Sequence, residues 1–352
     1  MSERPDSVSR RAATAEARRL AELARSAGLG DAPDAALEWN RQAIELLSTA
    51  EETPLLADVL RWQGSVLMHR GQAADAEPLY RRSLELSEEL GYDRGRAHSL
   101  NCLALVSQRR GDLSSAVALY NDAAAIAERC DDQRLLGMIQ QNLGILADMR
   151  GERTRARVHY WWSLHLFEAT NDTEGMTWVL NNLGLVDTAD GKFDVAERQY
   201  ERALSLARER GDLLAEGVIE ENCADLRIQR GQLNDAVRSI NRALAIAEQR
   251  GDAARRAAAL KLRAICERHR ADVSLAIDTL RLAMKFGAGA GDAMLRAEIL
   301  FELGDALAAS SDLSGARDVW SRALDVFERV GAKAWITRVR ERLGVADSRE
   351  PS

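Results

Sequence analysis

The sequence predicts an all-α fold, a solenoid of about eight helix hairpins with a capping helix at its carboxyl end. Three observations carry that expectation. Gly71, Gly111, Gly151, Gly191 and Gly231 stand forty residues apart, and the register continues to Ala271 and Ser311 and back to Asp31. A second series, offset by twenty, runs Gly91, Asp131, Asn171, Gly211, Gly251, Gly291, Gly331. Between these stops apolar residues recur at three- and four-residue spacing, as in Leu180, Leu183 and Val186, which is helical periodicity.

Gly, Asn and Asp tolerate a left-handed backbone, so both series mark the carboxyl ends of helices. Each forty-residue unit is then a pair of antiparallel helices, A and B. The first helix opens with Ser9-Arg10-Arg11, and the last, over about 333–346, carries Arg338, Arg340, Glu341 and Arg342 as an unpaired A-type cap. The expected organisation is one solenoid domain over 10–346, with disordered tails at 1–9 and 347–352. A single hairpin cannot bury its apolar face alone, so neighbours must stack into a continuous core.

Small residues set how the helices meet. Seven positions before the first stop, helix A carries Ala24, Gly64, Ala104, Gly144, Gly184, Ala224, Ala264 and Gly304. Helix B carries alanine at one position throughout, from Ala36 and Ala76 to Ala316, and a small residue again at Ala43, Ser83, Ala123, Ser163, Ala203, Ala243, Ala283 and Ala323. Side chains no larger than a methyl or hydroxymethyl let helix backbones approach to the short end of the usual ~8–10 Å spacing. The first two sets therefore predict helix contacts, and the third the site where helix B meets the next repeat. Tyr80, Tyr120, Tyr160 and Tyr200 recur in helix B as expected core aromatics, and Trp161 and Trp162 follow Tyr160, so at least one of them should face outward; a partly buried aromatic is the leading reading, and a convex contact or a site of self-association the alternative.

Composition agrees. Of the 352 residues 46% are hydrophobic and only 5% aromatic, the make-up of a folded helical chain. A net charge of −7 and a pI near 5.5 argue against nucleic acid and anionic lipid as ligands. No apolar run reaches bilayer-spanning length, and Met1-Ser2-Glu3-Arg4-Pro5-Asp6 lacks the apolar core of a signal peptide, so a cytoplasmic location is expected. Cys102, Cys130, Cys223 and Cys266 are far apart and read as reduced packing thiols. The five histidines pair with no nearby nucleophile or carboxylate at catalytic or metal-ligand spacing. The Gly287–Gly291 run follows no strand and reads as a loosened helix end. No catalysis, cofactor or metal is expected.

The run Leu180-Asn181-Asn182-Leu183-Gly184, followed by Gly191, Ala196, Tyr200, Ala203 and Leu204, resembles the tetratricopeptide repeat, and the likeness covers about residues 10–346. The forty-residue period and the absence of a proline after helix B are similar to the longer-helix variant of kinesin light chains, Pins-type adaptors, and bacterial transcription regulators and signalling ATPases. The stretch from Ala323 to Trp335 resembles the carboxy-terminal repeats of those regulators, yet no Gly-x-x-x-x-Gly-Lys loop accompanies it. The resemblance implies a right-handed superhelix whose A helices line a concave groove, a non-catalytic role, and a protein or peptide as ligand.

Counted from the small position of helix A, the groove-facing sites then include six, three and two residues before it. Asn is a mediocre helix former, so Asn142, Asn182 and Asn222 at one such site in three successive repeats ask for a reason. Amides donate and accept at once and can pair with the backbone of an extended peptide; the resemblance implies the same role. The competing reading is an asparagine ladder that ties adjacent helices together. Asn101, Gln141 and Asn181 adjoin this row. Trp62 and Trp178 could anchor ligand side chains or pack on a neighbouring helix, while Glu221, Asp225 and Lys261 give the later repeats a charged face set against the neutral-to-basic Arg61, His98, Gln108 and Arg109 of the earlier ones. The leading function is a scaffold holding an extended segment of a partner; a regulatory sensor closing on a small peptide or effector is the alternative, and a biosynthetic accessory the remotest. A homo-oligomer is compatible with each.

Overall fold

The computed structural model describes residues 7–28, 32–49, 53–288 and 292–347. Over these residues it is helical throughout, with seventeen helices joined by short turns. The A helices are α1 (Ser7–Gly28), α3 (Pro54–His69), α5 (Asp93–Arg109), α7 (Gln133–Met149), α9 (Thr173–Ala189), α11 (Leu213–Gln229), α13 (Ala253–His269) and α15 (Ala293–Ala309). The B helices are α2 (Pro33–Thr49), α4 (Ala73–Glu89), α6 (Leu113–Arg129), α8 (Arg153–Ala169), α10 (Phe193–Glu209), α12 (Leu233–Gln249), α14 (Val273–Ala288) and α16 (Leu313–Val330); α17 (Lys333–Asp347) follows as the unpaired last helix. The eight hairpins and the cap are those the repeat predicts. The chain groups into two compact units, residues 1–175 and 176–352, each a run of stacked hairpins. The stops expected at Asp31 and Gly291 lie outside the described residues, as does most of both expected tails; α1 begins at Ser7, inside the first of them.

The turns are where the sequence placed them. Gly71, Gly111, Gly151, Gly191 and Gly231 in one series, and Gly91, Gly211, Gly251 and Gly331 in the other, all have positive φ. Asp131, Asn171, Ala271 and Ser311 hold the same conformation without glycine, at φ of 51°, 53°, 67° and 70°. For Ala271, with no polar side chain to compensate, this is a real cost, ~1 kcal/mol. The next residue commonly starts the following helix: Asp112, Asp132, Asp212, Asp252 and Asp312 each accept a hydrogen bond from the backbone N–H three residues on. A left-handed residue followed by an Asp cap thus reverses the chain in two residues.

Packing explains the small positions. Methyl groups at Gly64, Gly144 and Gly184 would lie 2.6, 2.5 and 2.4 Å from the rings of Tyr80, Tyr160 and Tyr200, and one at Gly304 would lie 2.4 Å from Trp320. The B-helix aromatic sits directly on the A-helix glycine. The B-helix alanines from Ala36 to Ala316 are fully buried. At the second small site of helix B, Ser83 donates to the Ala57 carbonyl at 2.7 Å and Ser163 to that of Gly137 at 2.7 Å, so the hydroxyls satisfy themselves on helix A of their own hairpin. At the carboxyl end Trp335 of α17 stacks on Phe327 at 5.2 Å and meets Phe301 edge-on at 5.3 Å, closing the core of the second unit. Cys223 and Cys266 are buried thiols, and Cys130 is exposed.

Candidate functional site

Helices α3, α5, α7, α9 and α11 each keep one stripe only partly covered, while in α13 and α15 its middle position, Leu262 or Glu302, is buried. The stripe falls at i, i+4 and i+7, as in Asp58, Trp62 and Ser65 of α3 or Trp178, Asn182 and Leu185 of α9. Asn142, Asn182 and Asn222 all lie on this stripe and are half-buried. The position one residue earlier is more covered, although Arg61, Gln141 and Lys261 there stay half-buried. Asn101, Asn181 and Glu221 were expected to face a groove, but each is buried, and Phe301 at the same register is core. Helical geometry gives the reason: one residue is a 100° turn, which carries this position from the open side to the side on which the next A helix packs.

The amides therefore meet one another. Asn142 Nδ2 donates to Asn101 Oδ1 at 3.3 Å in the first unit, and Asn222 Nδ2 donates to Asn181 Oδ1 at 2.7 Å in the second. The ladder reading is thus realised for two of the three conspicuous asparagines. It uses one N–H of each, and an amide has a second N–H and an acceptor oxygen besides.

Around these amides the first unit places charged groups in small clusters. Arg61 pairs with Asp58 at 2.9 Å, and Tyr92 donates to the same carboxylate at 3.1 Å. Trp62 lies under the Arg25 guanidinium at 4.9 Å and near that of Arg61 at 5.7 Å, and it packs on the core; both the anchoring and the packing surfaces of this ring are already in use from within the chain. Arg94 donates to Asp132 at 2.8 Å, and His98 stands 3.4 Å from the same oxygen. His98, through its hydrogen bond, holds the Asp132 carboxyl well below the usual carboxylate range, while burial pushes the His98 imidazole below its own. Helix α7 presents Met138, Gln141, Asn142, Ile145 and the well-exposed Met149, an apolar surface interrupted by amides.

The second unit opens with Trp178, Asn182 and the exposed Leu185 on α9 and then becomes a ladder of ion pairs. Arg255 donates to Glu221 at 2.9 Å, Lys261 pairs with Glu298, Arg268 donates to Glu302 at 2.7 Å, and Arg342 donates to Asp305 at 3.0 Å. A cleft of about 270 Å³ opens between α13 and α15 beside Arg255, Lys261, Asp292 and Glu298. Glu221 is the unusual member. Its Oε1 is buried without a hydrogen-bond partner, and burial pushes its carboxyl up to about 7 against the opposing pull of Arg255. Burial also raises Asp225, which accepts a bond from Gln229 at 2.7 Å, and Glu302.

Sequence reasoning missed Arg255 and Arg342 and the pairing of the acids. A signal existed. The partners are 34 or 37 residues apart, one repeat shortened by six residues or by three, whereas the paired amides are 41 apart. Among the described residues, no group of His, Cys, Asp and Glu could hold a metal ion, and no helix is long and apolar enough to cross a membrane.

The tetratricopeptide repeat family matches residues 55–129 and 175–249. Solved structures of similar fold include a Rap protein complexed with competence and sporulation factor (TM-score 0.64, 13% identity, covering 96% of this chain and 98% of that one). Another is the signal transduction ATPase with a tetratricopeptide repeat sensor from Pyrococcus horikoshii (TM-score 0.62, 14% identity, 89% of this chain and 52% of that one). A third is a tetratricopeptide repeat protein from Parabacteroides merdae (TM-score 0.55, 16% identity, 81% and 98%). At these identities the likeness is one of fold. No curated protein matches the chain in sequence.

Proposed function

Because this chain is a tetratricopeptide-repeat protein, we propose that it is a non-catalytic binding scaffold whose A-helix stripes hold an extended segment of a partner protein or peptide. The observation that carries this is the recurrence of half-exposed Asn142, Asn182 and Asn222 on the open stripe, each with hydrogen-bonding capacity beyond the ladder. An extended chain offers alternating N–H and C=O groups, and amides presented at repeat intervals pair with them irrespective of side chain. Gln141 adds a further amide on α7, and Trp178 with Leu185 supplies an apolar contact in the second unit, whereas Trp62 is held by Arg25, Arg61 and the core. Asp225 and Lys261 favour a ligand with charges of both signs there. Asn101, Asn181 and Glu221 act from beneath, by holding Asn142, Asn222 and Arg255 in place. The Rap protein seen with competence and sporulation factor supports a peptide as the ligand class.

The sensor named in the Pyrococcus structure, together with a buried carboxyl poised near neutrality at Glu221, favours a second reading in which occupancy regulates a larger partner. One experiment addresses the binding claim. Peptides selected from a random displayed library on the wild-type chain should bind an Asn142→Ala/Asn182→Ala/Asn222→Ala variant at least about tenfold more weakly. Unchanged affinity in a folded triple variant would remove the amide clamp.

A further inference from the structure

Helices α5 and α7 carry arginines that reach the capping carboxylate of the next A helix. Arg94 donates to Asp132 at 2.8 Å, with His98 at 3.4 Å from the same oxygen, and Arg134 donates to Asp172. In the second unit Asp212 pairs with Arg210 at 2.7 Å. Counted in steps of forty residues, the equivalents of Arg94 and His98 are Leu214 and Val218 for Asp252, and Ala254 and Ala258 for Asp292. The first replacement fills its place: Leu214, Val218 and Asp252 border a space of only about 10 Å³. The second does not. Ala254, Ala258 and Asp292 line the cleft of about 270 Å³ between α13 and α15, where two side chains cut back to methyl leave room for what Arg94 and His98 supply at Asp132.

Asp292 is thereby left without a counter-charge. It is exposed, it accepts the Leu295 N–H at 2.9 Å, and among the described residues no cation pairs with it. The two cations that line the cleft are committed elsewhere, Arg255 to Glu221 at 2.9 Å and Lys261 to Glu298. Met294 and Leu295 complete the walls, an apolar surface of the kind along which the methylene stem of a long basic side chain lies.

We propose that this cleft receives the guanidinium or ammonium group of an arginine or lysine in the segment that the A-helix stripes hold, with Asp292 as its counter-ion. The proposal rests on the scaffold reading and gives it a specificity site, because Ala258 stands at the first stripe position of α13. Existing pairs decide the sign of the ligand. A cation meets an unpaired carboxylate and disturbs nothing. An anion would have to take Arg255 from Glu221, whose other oxygen is already buried without a partner, or Lys261 from Glu298.

The probe for the cleft itself is n-butylguanidinium, followed through the alanine methyl signals of the full chain by NMR. Saturable shifts at Ala254 and Ala258 are expected. Neither n-butylurea, of similar shape without the charge, nor n-pentanoate should produce them. Asp292→Asn, which keeps a residue able to cap α15, should weaken binding about tenfold. Ala254→Arg, which restores the arginine present at this register in α5 and α7, should abolish it. Peptides selected from a random displayed library on the wild-type chain should be enriched in arginine or lysine, and those selected on Ala254→Arg should not. The proposal is overturned by the absence of saturable shifts, by equal binding of either control, or by Asp292→Asn or Ala254→Arg binding as the wild type does. Selected peptides without basic enrichment overturn it too, and leave the amide clamp standing. Butylguanidinium bound in the cleft while no peptide can be selected has the opposite meaning: it removes the scaffold and keeps the cation site.

Discussion

In the first unit the capping carboxylate of α7, Asp132, sits under His98 and Arg94 and is held ionised. In the second, Glu221 keeps one oxygen buried without a partner, and burial raises it together with Asp225 and Glu302. The hairpin frame is the same in both; the proton response is opposite. Lowering the pH from neutrality first charges the buried His98, which the fold prefers neutral, and far below that protonates Asp132, so both contributions in the first unit are lost toward acid. A raised carboxyl works the other way. For Glu221 the destabilisation is complete above about 7 and relieved as pH falls toward its ordinary value of 4.5. Repeat proteins respond locally because each hairpin leans only on its neighbours, so one chain can loosen at one end and tighten at the other.

The largest expected effect tests that contrast. Glu221→Gln should stabilise the second unit by up to about 3 kcal/mol at slightly alkaline pH and by almost nothing near pH 4.5. Hydrogen exchange resolved by peptide in the full chain should show α11 and α13 more protected at mildly acid than at mildly alkaline pH in the wild type. That gain should shrink in the variant, while α5 and α7 change in the opposite sense in both. A uniform response along the chain would break the comparison.

A smaller effect sharpens it at the amides. Asn222→Ala strands the buried Asn181 oxygen and should cost about 1–2 kcal/mol, whereas Asn142→Ala, which loses a longer bond to Asn101, should cost roughly half as much. Urea unfolding of the single variants measures the difference. Equal losses would mean that the two ladders are equivalent and that the 2.7 and 3.3 Å separations carry no energetic distinction.

The smallest effect concerns the turns. Ala271→Gly relieves a left-handed alanine and should raise stability by less than about 1 kcal/mol, while Gly231→Ala at the preceding equivalent turn should lower it by a similar amount. Shifts of the urea midpoint in opposite directions are the expected result. The two turns have nearly the same φ, 67° and 73°, so identical responses would mean that the backbone conformation is not what sets their stability.

Much of the fold was legible without coordinates, for a physical reason. A left-handed backbone admits few residue types, and a helix crossing under an aromatic ring admits fewer still, so Gly71, Gly111 and Gly191 reveal the turns and Gly64, Gly144 and Gly184 the crossings. Repetition then multiplies each local signal eightfold. The register of the amides was legible as well: Asn142, Asn182 and Asn222 each lie on the partly open stripe of their own helix. What the pattern could not decide was which neighbour each polar side chain would meet. A rotation of one residue separates half-buried Asn182 from buried Asn181, and partners 34, 37 or 41 residues apart are set by the stagger between adjacent A helices, which a forty-residue period does not specify. Where this chain turns and where its helices touch can be read from the residues alone, because those constraints are steric and local. That Asn101 and Asn181 serve their neighbours, that Glu221 is left with a bare oxygen and that both Trp161 and Trp162 face outward emerges only on packing, because burial and pairing belong to the stagger of whole helices.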